Sequence, residues 1–115
     1  MSLTFYTTKK VEKAIRSRYV FPNDLMYAIQ KFFIEKNEAS KIKYVRFALN
    51  DVIEEDKHVR KSLEVQICAD SFPNDLITAL NKLLVREFTS LNASVRIHCE
   101  YEWKGERTAT ERGGL

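Results

Sequence analysis

The chain is poor in the residues that mark several common protein classes. Its 115 residues include only three glycines, two prolines, two cysteines and two histidines. So few glycines and prolines argue against collagen-like, fibrous and linker-rich chains. Cys68 and Cys99 are too few for the disulfide framework of a small secreted protein, and no close ligand pair of the zinc-site kind occurs. We therefore expect no metal and no cofactor.

Long apolar runs are missing as well. No stretch approaches the roughly 20 apolar residues that cross a bilayer, and only a short apolar run precedes Lys9 and Lys10, so we expect no secretory segment. The hydrophobic fraction of 44% and the charged fraction of 30% are typical of globular proteins. A net charge of +3 does not by itself indicate a nucleic-acid partner. We expect a single cytoplasmic domain over residues 1–115 with no membrane contact.

An internal repeat is the clearest pattern that is present. The residues Phe-Pro-Asn-Asp-Leu at 21–25 recur at 72–76. Two units are too few for a solenoid, which needs about three. The repeat therefore predicts pseudo-two-fold symmetry within one domain. We place unit one at about residues 13–53, unit two at about 62–104, and a flexible tail at 105–115.

Each unit predicts a helix followed by a strand. Proline suits the first turn of a helix, and the aspartate that follows lies near the positive end of the helix dipole. Apolar residues then recur at helical spacing. They are Leu25, Ile29, Phe32 and Phe33 in the first unit and Leu76, Leu80, Leu83 and Leu84 in the second. Alternating patterns predict strands near residues 44–49, 63–69 and 95–103.

The first twenty residues allow two interpretations. Symmetry between the units favours a strand over residues 13–20, because a right-handed crossover needs a strand directly before its helix. The rival interpretation makes Leu3 to Thr8 a strand and Lys9 to Arg18 a short helix. We favour the symmetric one. The predicted fold is then an α+β, ferredoxin-like βαββαβ sandwich, with two pseudo-two-fold-related βαβ units, a four-stranded antiparallel sheet and two helices on one face.

This fold leaves the other face of the sheet open, and that face carries the candidate ligand or interface residues. They are Tyr44, Arg46, Glu64, Gln66, Cys68, Arg96, His98 and Glu100. The two arginines could clamp a carboxylate or phosphate, or they could pair with the two glutamates across neighbouring strands. A nucleophile and base made of Cys68 and His98 is conceivable, but no third orienting group is identifiable. No phosphate-binding loop, dinucleotide fingerprint or nucleophile elbow occurs, so we name no catalytic residue.

A second candidate surface is a basic cluster near the N-terminus, with Tyr6 and Tyr19 on either side of it. Its members are Lys9, Lys10, Lys13, Arg16 and Arg18. Phosphate contact with base stacking is possible there. The predicted fold also resembles that of RNA-recognition sheets, but the Gly-aromatic signature of that family is absent from the strands.

We expect a non-enzymatic protein that acts through protein–protein contact, as a homodimer or a complex subunit. One alternative is a nucleic-acid-binding module that uses the basic N-terminal segment. Another is a small-molecule enzyme or ligand binder that uses the open sheet face.

Overall fold

A computed structural model describes residues 3–53, 59–69 and 73–98, and for residues 52, 53, 59, 60 and 98 it describes the backbone alone. The elements form two strand–helix–strand units along the chain. In order they are β1 (Phe5–Tyr6), α1 (Lys9–Ser17), α2 (Pro22–Glu35), β2 (Ile42–Ile53), β3 (Val59–Ala69), α3 (Asn74–Glu87) and β4 (Ser94–His98). Short 3₁₀ turns, Ala39–Lys41 and Thr89–Leu91, lead into β2 and β4.

The segment before α2 contradicts the favoured prediction. Residues 13–20 do not form a strand, because α1 occupies Lys9–Ser17 and the strand lies earlier. The rival interpretation, a strand and then a short helix, is the right one. The Thr8 hydroxyl accepts a hydrogen bond from the Val11 N–H at 3.2 Å and caps α1. Burial of Val11 and Ile15 then holds the helix on the core.

The sheet is mixed, which corrects the predicted antiparallel one. Its strand order is β1-β2-β3-β4. β1 is parallel to β2, β2 is antiparallel to β3, and β3 is parallel to β4. In a ferredoxin-like fold the two strands of each βαβ unit are split apart in the sheet, whereas here they are neighbours. The α+β class and the four strands are confirmed, but the ferredoxin-like order is not the one observed.

The strand order is also inconsistent with two-fold symmetry between the units. A two-fold axis through the middle of this sheet would exchange β1 with β4 and β2 with β3. The sequence repeat equates α2 with α3, and therefore β2 with β4. The sequence repeat does correspond to two similar helix starts. α2 begins at Pro22, and α3 begins at Asn74, one residue after the proline that is equivalent to Pro22. The repeat does not extend to a symmetric arrangement of the units.

The core lies between the helices and one face of the sheet. All three helices contribute to a single cluster of buried apolar side chains, and there are three α-helices, not the predicted two, among the described residues. The fully buried members include Ile15, Leu25, Ile29, Phe33, Val45, Leu63, Val65, Ile67, Leu80 and Leu84. Most of the residues predicted at helical spacing are therefore core residues.

Candidate functional site

The predicted sheet-face residues occupy three rows across β2, β3 and β4. The rows are Tyr44–Cys68–His98, Arg46–Gln66–Arg96 and Ala48–Glu64–Ser94. Successive rows are two residues apart along each strand, so their positions share one face of the sheet. For His98 this statement concerns the backbone only, and Glu100 lies outside the described residues.

A hydrogen-bonded network connects the polar residues of this face. Arg46 donates from Nη1 to Gln66 Oε1 at 2.8 Å, and Gln66 donates from Nε2 to Glu64 Oε1 at 2.6 Å. Arg96 donates from Nε to the same carboxylate oxygen at 2.8 Å, and the Asn50 amide donates to Glu64 Oε2 at 3.0 Å. Of the two uses considered for the arginines, pairing within the sheet is thus the one observed for Arg96 and Glu64.

Glu64 is the centre of this network, and its pKa reflects two opposing effects. Burial is the largest single effect and raises the pKa of the carboxyl group. The hydrogen bonds from Arg96, Gln66 and Asn50, with the charge of Arg96, together outweigh burial and leave the pKa of Glu64 below its ordinary value. The carboxylate is therefore ionised at neutral pH and stabilises the pairing of β3 with β4.

The middle of the predicted open face is buried. Tyr44, Gln66 and Cys68 all have low exposure, with Cys68 at 1%. The ring of Tyr6 contacts the ring of Tyr44, with centroids 5.0 Å apart, so β1 extends this face beyond the strands that were predicted. A buried thiol away from solvent behaves as a small hydrophobe. The expectation of an open face is therefore wrong at its centre, where Cys68 offers no accessible nucleophile.

A groove of about 470 Å³ lies along the edge of β2, next to the start of α1. It exists because β1 pairs with only two residues of the twelve-residue β2, so the strand continues past its neighbour. Lys61 and Asp51 form an ion pair on its wall. The hydrogen bond from Lys61 and its charge lower the pKa of Asp51, with a smaller contribution from Lys10. The groove thus presents this ion pair together with the positive charges of Lys10 and Arg46.

The predicted basic cluster divides into two kinds of residue. Lys9, Lys10, Lys13 and Arg16 are exposed on α1. Arg18 is different, because its guanidinium donates to two backbone carbonyls, that of Leu91 at 2.9 Å and that of Lys61 at 2.5 Å. Arg18 therefore ties the end of α1 to β3 and to the 3₁₀ turn before β4, and we interpret it as a structural anchor.

The residues that follow α1 form a surface feature that we name the aromatic turn, residues 18–21. Tyr19 is 94% exposed and Phe21 is 68% exposed. Tyr19 also has a positive φ of 65°, a conformation that costs a residue with a Cβ atom about 1–2 kcal/mol. The exposed aromatic surface is unfavourable in water, whereas the positive φ is part of the left-handed cap that ends α1.

The aromatic turn is held in place from several directions. Besides the two Arg18 bonds, the Ser90 hydroxyl donates to the Arg18 carbonyl at 2.6 Å. The Tyr19 N–H donates to the Arg16 carbonyl at 3.0 Å and the Val20 N–H to the Ile15 carbonyl at 3.4 Å. These bonds fix the backbone of the turn, so the two rings project from a rigid base.

A cleft of about 430 Å³ separates the aromatic turn from the end of α3. We name it the turn cleft. Its apolar wall is formed by Tyr19, Val20 and Phe21, and its polar wall includes the carboxylates of Asp24 and Glu87. Asp24 is placed there by the start of α2 and Glu87 by the last turn of α3. The cleft therefore combines aromatic surface with two carboxylates, of which that of Glu87 lies 3.9 Å from the Arg86 guanidinium.

Sequence reasoning identified Tyr19 only as a neighbour of the basic cluster and Phe21 only as the first residue of the repeat, and it named neither as a site residue. The available signal was two aromatic residues in the short connection between α1 and α2, which contains no glycine. No group of three or more His, Cys, Asp or Glu side chains suited to a metal occurs in the described part of the chain. Within the same residues no helix is both long and apolar enough to span a membrane.

Comparison of the chain with protein-family models, curated proteins and solved structures gives no match.

Proposed function

We propose that this chain is a non-enzymatic protein that acts through contact with another protein chain, and that the contact is centred on the aromatic turn. The observation that carries the proposal is the exposure of two neighbouring aromatic rings, Tyr19 and Phe21, on a turn whose backbone is held by hydrogen bonds. The positive φ of Tyr19 is the left-handed cap that ends α1, closed by the Tyr19 and Val20 N–H bonds to the Arg16 and Ile15 carbonyls, and it turns the chain so that both rings face solvent. Covering Tyr19 and Phe21 with a partner would remove a large apolar area from water.

The rigidity of the turn supports the same function. Binding costs free energy when loops and side chains must be ordered, and a turn that is already ordered avoids much of this cost. Arg18 and Ser90 provide that order through their hydrogen bonds. Tyrosine is enriched among the few residues that dominate protein interfaces, and such residues fill pockets on the partner. Tyr19 fits this role.

Nucleic-acid binding is the second candidate, because the exposed Lys9, Lys13 and Arg16 lead along α1 towards Tyr19. Lysine and arginine would contact phosphates, and the tyrosine ring would stack on a base. The carboxylates of Asp24 and Glu87 on the other side of Tyr19 oppose this use, since they repel phosphate. Salt-sensitive retention on polynucleotide that is lost in a Lys9→Gln/Lys13→Gln variant would favour it.

Site-specific photocrosslinking tests the proposed function. A photoreactive phenylalanine analogue is placed at position 19 or, as the matched control, at the exposed Tyr27 on α2. We expect crosslinks to protein from position 19, little from position 27, and loss of the position-19 product when Phe21 is replaced by serine. Equal crosslinking from both positions, or crosslinks from position 19 to nucleic acid alone, would contradict the proposal.

A further inference from the structure

The surface on both sides of Tyr19 is divided by charge. On one side, Lys9, Lys13 and Arg16 form a stripe along α1 at spacings of four and three residues, which places them on one face over about 10 Å. We name them the basic stripe. On the other side, Asp24 and Glu87 lie in the turn cleft. Tyr19 lies next to the basic stripe, because it follows the end of α1, and it also lines the turn cleft.

A surface with adjacent positive and negative halves is complementary to itself. In a two-fold dimer the same patch is used by both copies, so each contact between unlike residues occurs twice. A two-fold axis near Tyr19 would place the basic stripe of each copy against the carboxylates of its partner. The aromatic side chains would then lie at the centre and the charges at the rim, which is the usual anatomy of an interface.

We propose that the partner at the aromatic turn is a second copy of this chain, paired about a two-fold axis with basic stripe against turn cleft. This inference rests on the proposed function and gives the identity of the partner. The charge complementarity between Lys13 and Asp24 favours a second copy over an acidic partner, which the carboxylates of the cleft would repel. The same carboxylates would repel the phosphates of a nucleic acid, so a second copy is also favoured over a nucleic-acid partner. Arg16 and Glu87 contribute less, because they already pair with Glu12 and Arg86 within the chain.

The two kinds of contact have different expected strengths. The aromatic centre supplies most of the affinity, so Tyr19→Asn should raise the dimer dissociation constant by about 30-fold or more. Rim charges contribute little each and mainly set register and association rate. Because every contact is made twice, reversal of one rim charge should raise the dissociation constant by about tenfold.

Sedimentation equilibrium of the full chain, over a range of concentrations, tests the proposal. We expect a monomer–dimer equilibrium that is weakened by Asp24→Lys and weakened by Lys13→Glu. The double variant, which exchanges the two charges, should recover most of the affinity of the parent chain. Asp75→Lys is the matched control, since Asp75 lies at the equivalent position in the first turn of α3 and should leave dimerisation unchanged. Circular dichroism of each variant checks that the helices are retained.

Three results would overturn the proposal: a monomer at every concentration, a dimer that Asp24→Lys and Asp75→Lys weaken equally, or a double variant weaker than both single variants. The proposed function fails separately. A monomeric chain that still crosslinks from position 19 to a different protein keeps the contact function and loses only the self-association. A chain that dimerises without any crosslink from position 19 loses both.

Discussion

Replacement of Arg18 by alanine should destabilise the chain far more than replacement of Arg16, although both arginines belong to the same basic cluster in the sequence. Arg18 donates two charge-assisted hydrogen bonds to the carbonyls of Leu91 and Lys61. A hydrogen bond to a charged group contributes about 1.5–3 kcal/mol when it is shielded and less when it is exposed. One of these bonds is partly buried and the other is exposed, so we expect a loss of about 2–3 kcal/mol.

Arg16 provides the matched control. Its side chain is 58% exposed and its guanidinium lies 3.8 Å from the Glu12 carboxylate. An exposed ion pair of this kind contributes about 0.5 kcal/mol or less, so Arg16→Ala should be close to neutral. Arg18→Lys keeps the charge but cannot reach both carbonyls with a planar fork, and it should recover less than half of the lost stability.

Urea unfolding followed by circular dichroism measures the difference. With a denaturant slope of about 1–3 kcal/mol/M for a chain of this size, Arg18→Ala should lower the unfolding midpoint by about 1–2 M, while Arg16→Ala should leave it nearly unchanged. If the two variants unfold at the same midpoint, Arg18 is not an anchor and the aromatic turn does not have the rigid base on which its proposed role depends.

The remaining predictions concern the network, the turn and the core. Glu64→Gln should cost about 1–2 kcal/mol at pH 7. Because the pKa of Glu64 is lowered in the fold, this difference is fully present above the ordinary glutamate pKa and should be lost as the pH falls through the lowered one, which urea unfolding over a series of acid pH values would show. At concentrations where the chain is monomeric, Tyr19→Asn should unfold at an equal or higher temperature than the parent, since asparagine tolerates positive φ, and a clear loss of stability of the monomer would mean that the ring supports the fold. Phe33→Ala should cost about 3–5 kcal/mol and its half-exposed neighbour Ile34→Ala less than about 1 kcal/mol by chemical denaturation, and similar costs would contradict the core assignment.

The parts of the fold that follow from local sequence were predictable. Pro22 and Asp24 mark the start of α2 through backbone geometry and dipole interactions that involve only neighbouring residues. The alternation of apolar and polar residues around Val45, and again around Val65, likewise indicates a strand because successive side chains point to opposite faces. These local patterns do not depend on where a strand lies in the sheet, so the predicted helix start and strands are correct although the predicted strand order is not.

The order of the strands depends on long-range pairing that no local pattern encodes. β1 is only two residues long, and its pairing with Val45 and Arg46 is decided by the whole sheet. The assumption of equal units then moved the first strand to residues 13–20, although the apolar spacing of Val11 and Ile15 already suited a helix. An exact repeat at the two helix starts does not require that the segments before them match.

The candidate site was predictable only in part for a similar reason. Alternation placed Arg46, Gln66 and Arg96 on one face of the sheet, and the structure brings them together in one row. Their burial and hydrogen bonds depend on tertiary contacts. Exposure of Tyr19 and Phe21 is also a tertiary outcome, since aromatic residues between two helices are commonly core residues. The three-dimensional structure alone shows that the two rings are exposed, on a backbone that the bonds of Arg18 and Ser90 hold in place.

Hydroxyl-radical footprinting of Tyr19, with Tyr27 as the internal reference, tests the central claim most directly. Both rings are exposed in the isolated chain, at 94% and 65%, so both should be oxidised readily at high dilution. In the assembled state, at high concentration of the chain, the account predicts strong protection of Tyr19 and unchanged oxidation of Tyr27. Oxidation of Tyr19 at its dilute rate in an assembled state would contradict the claim that the aromatic turn is the contact site.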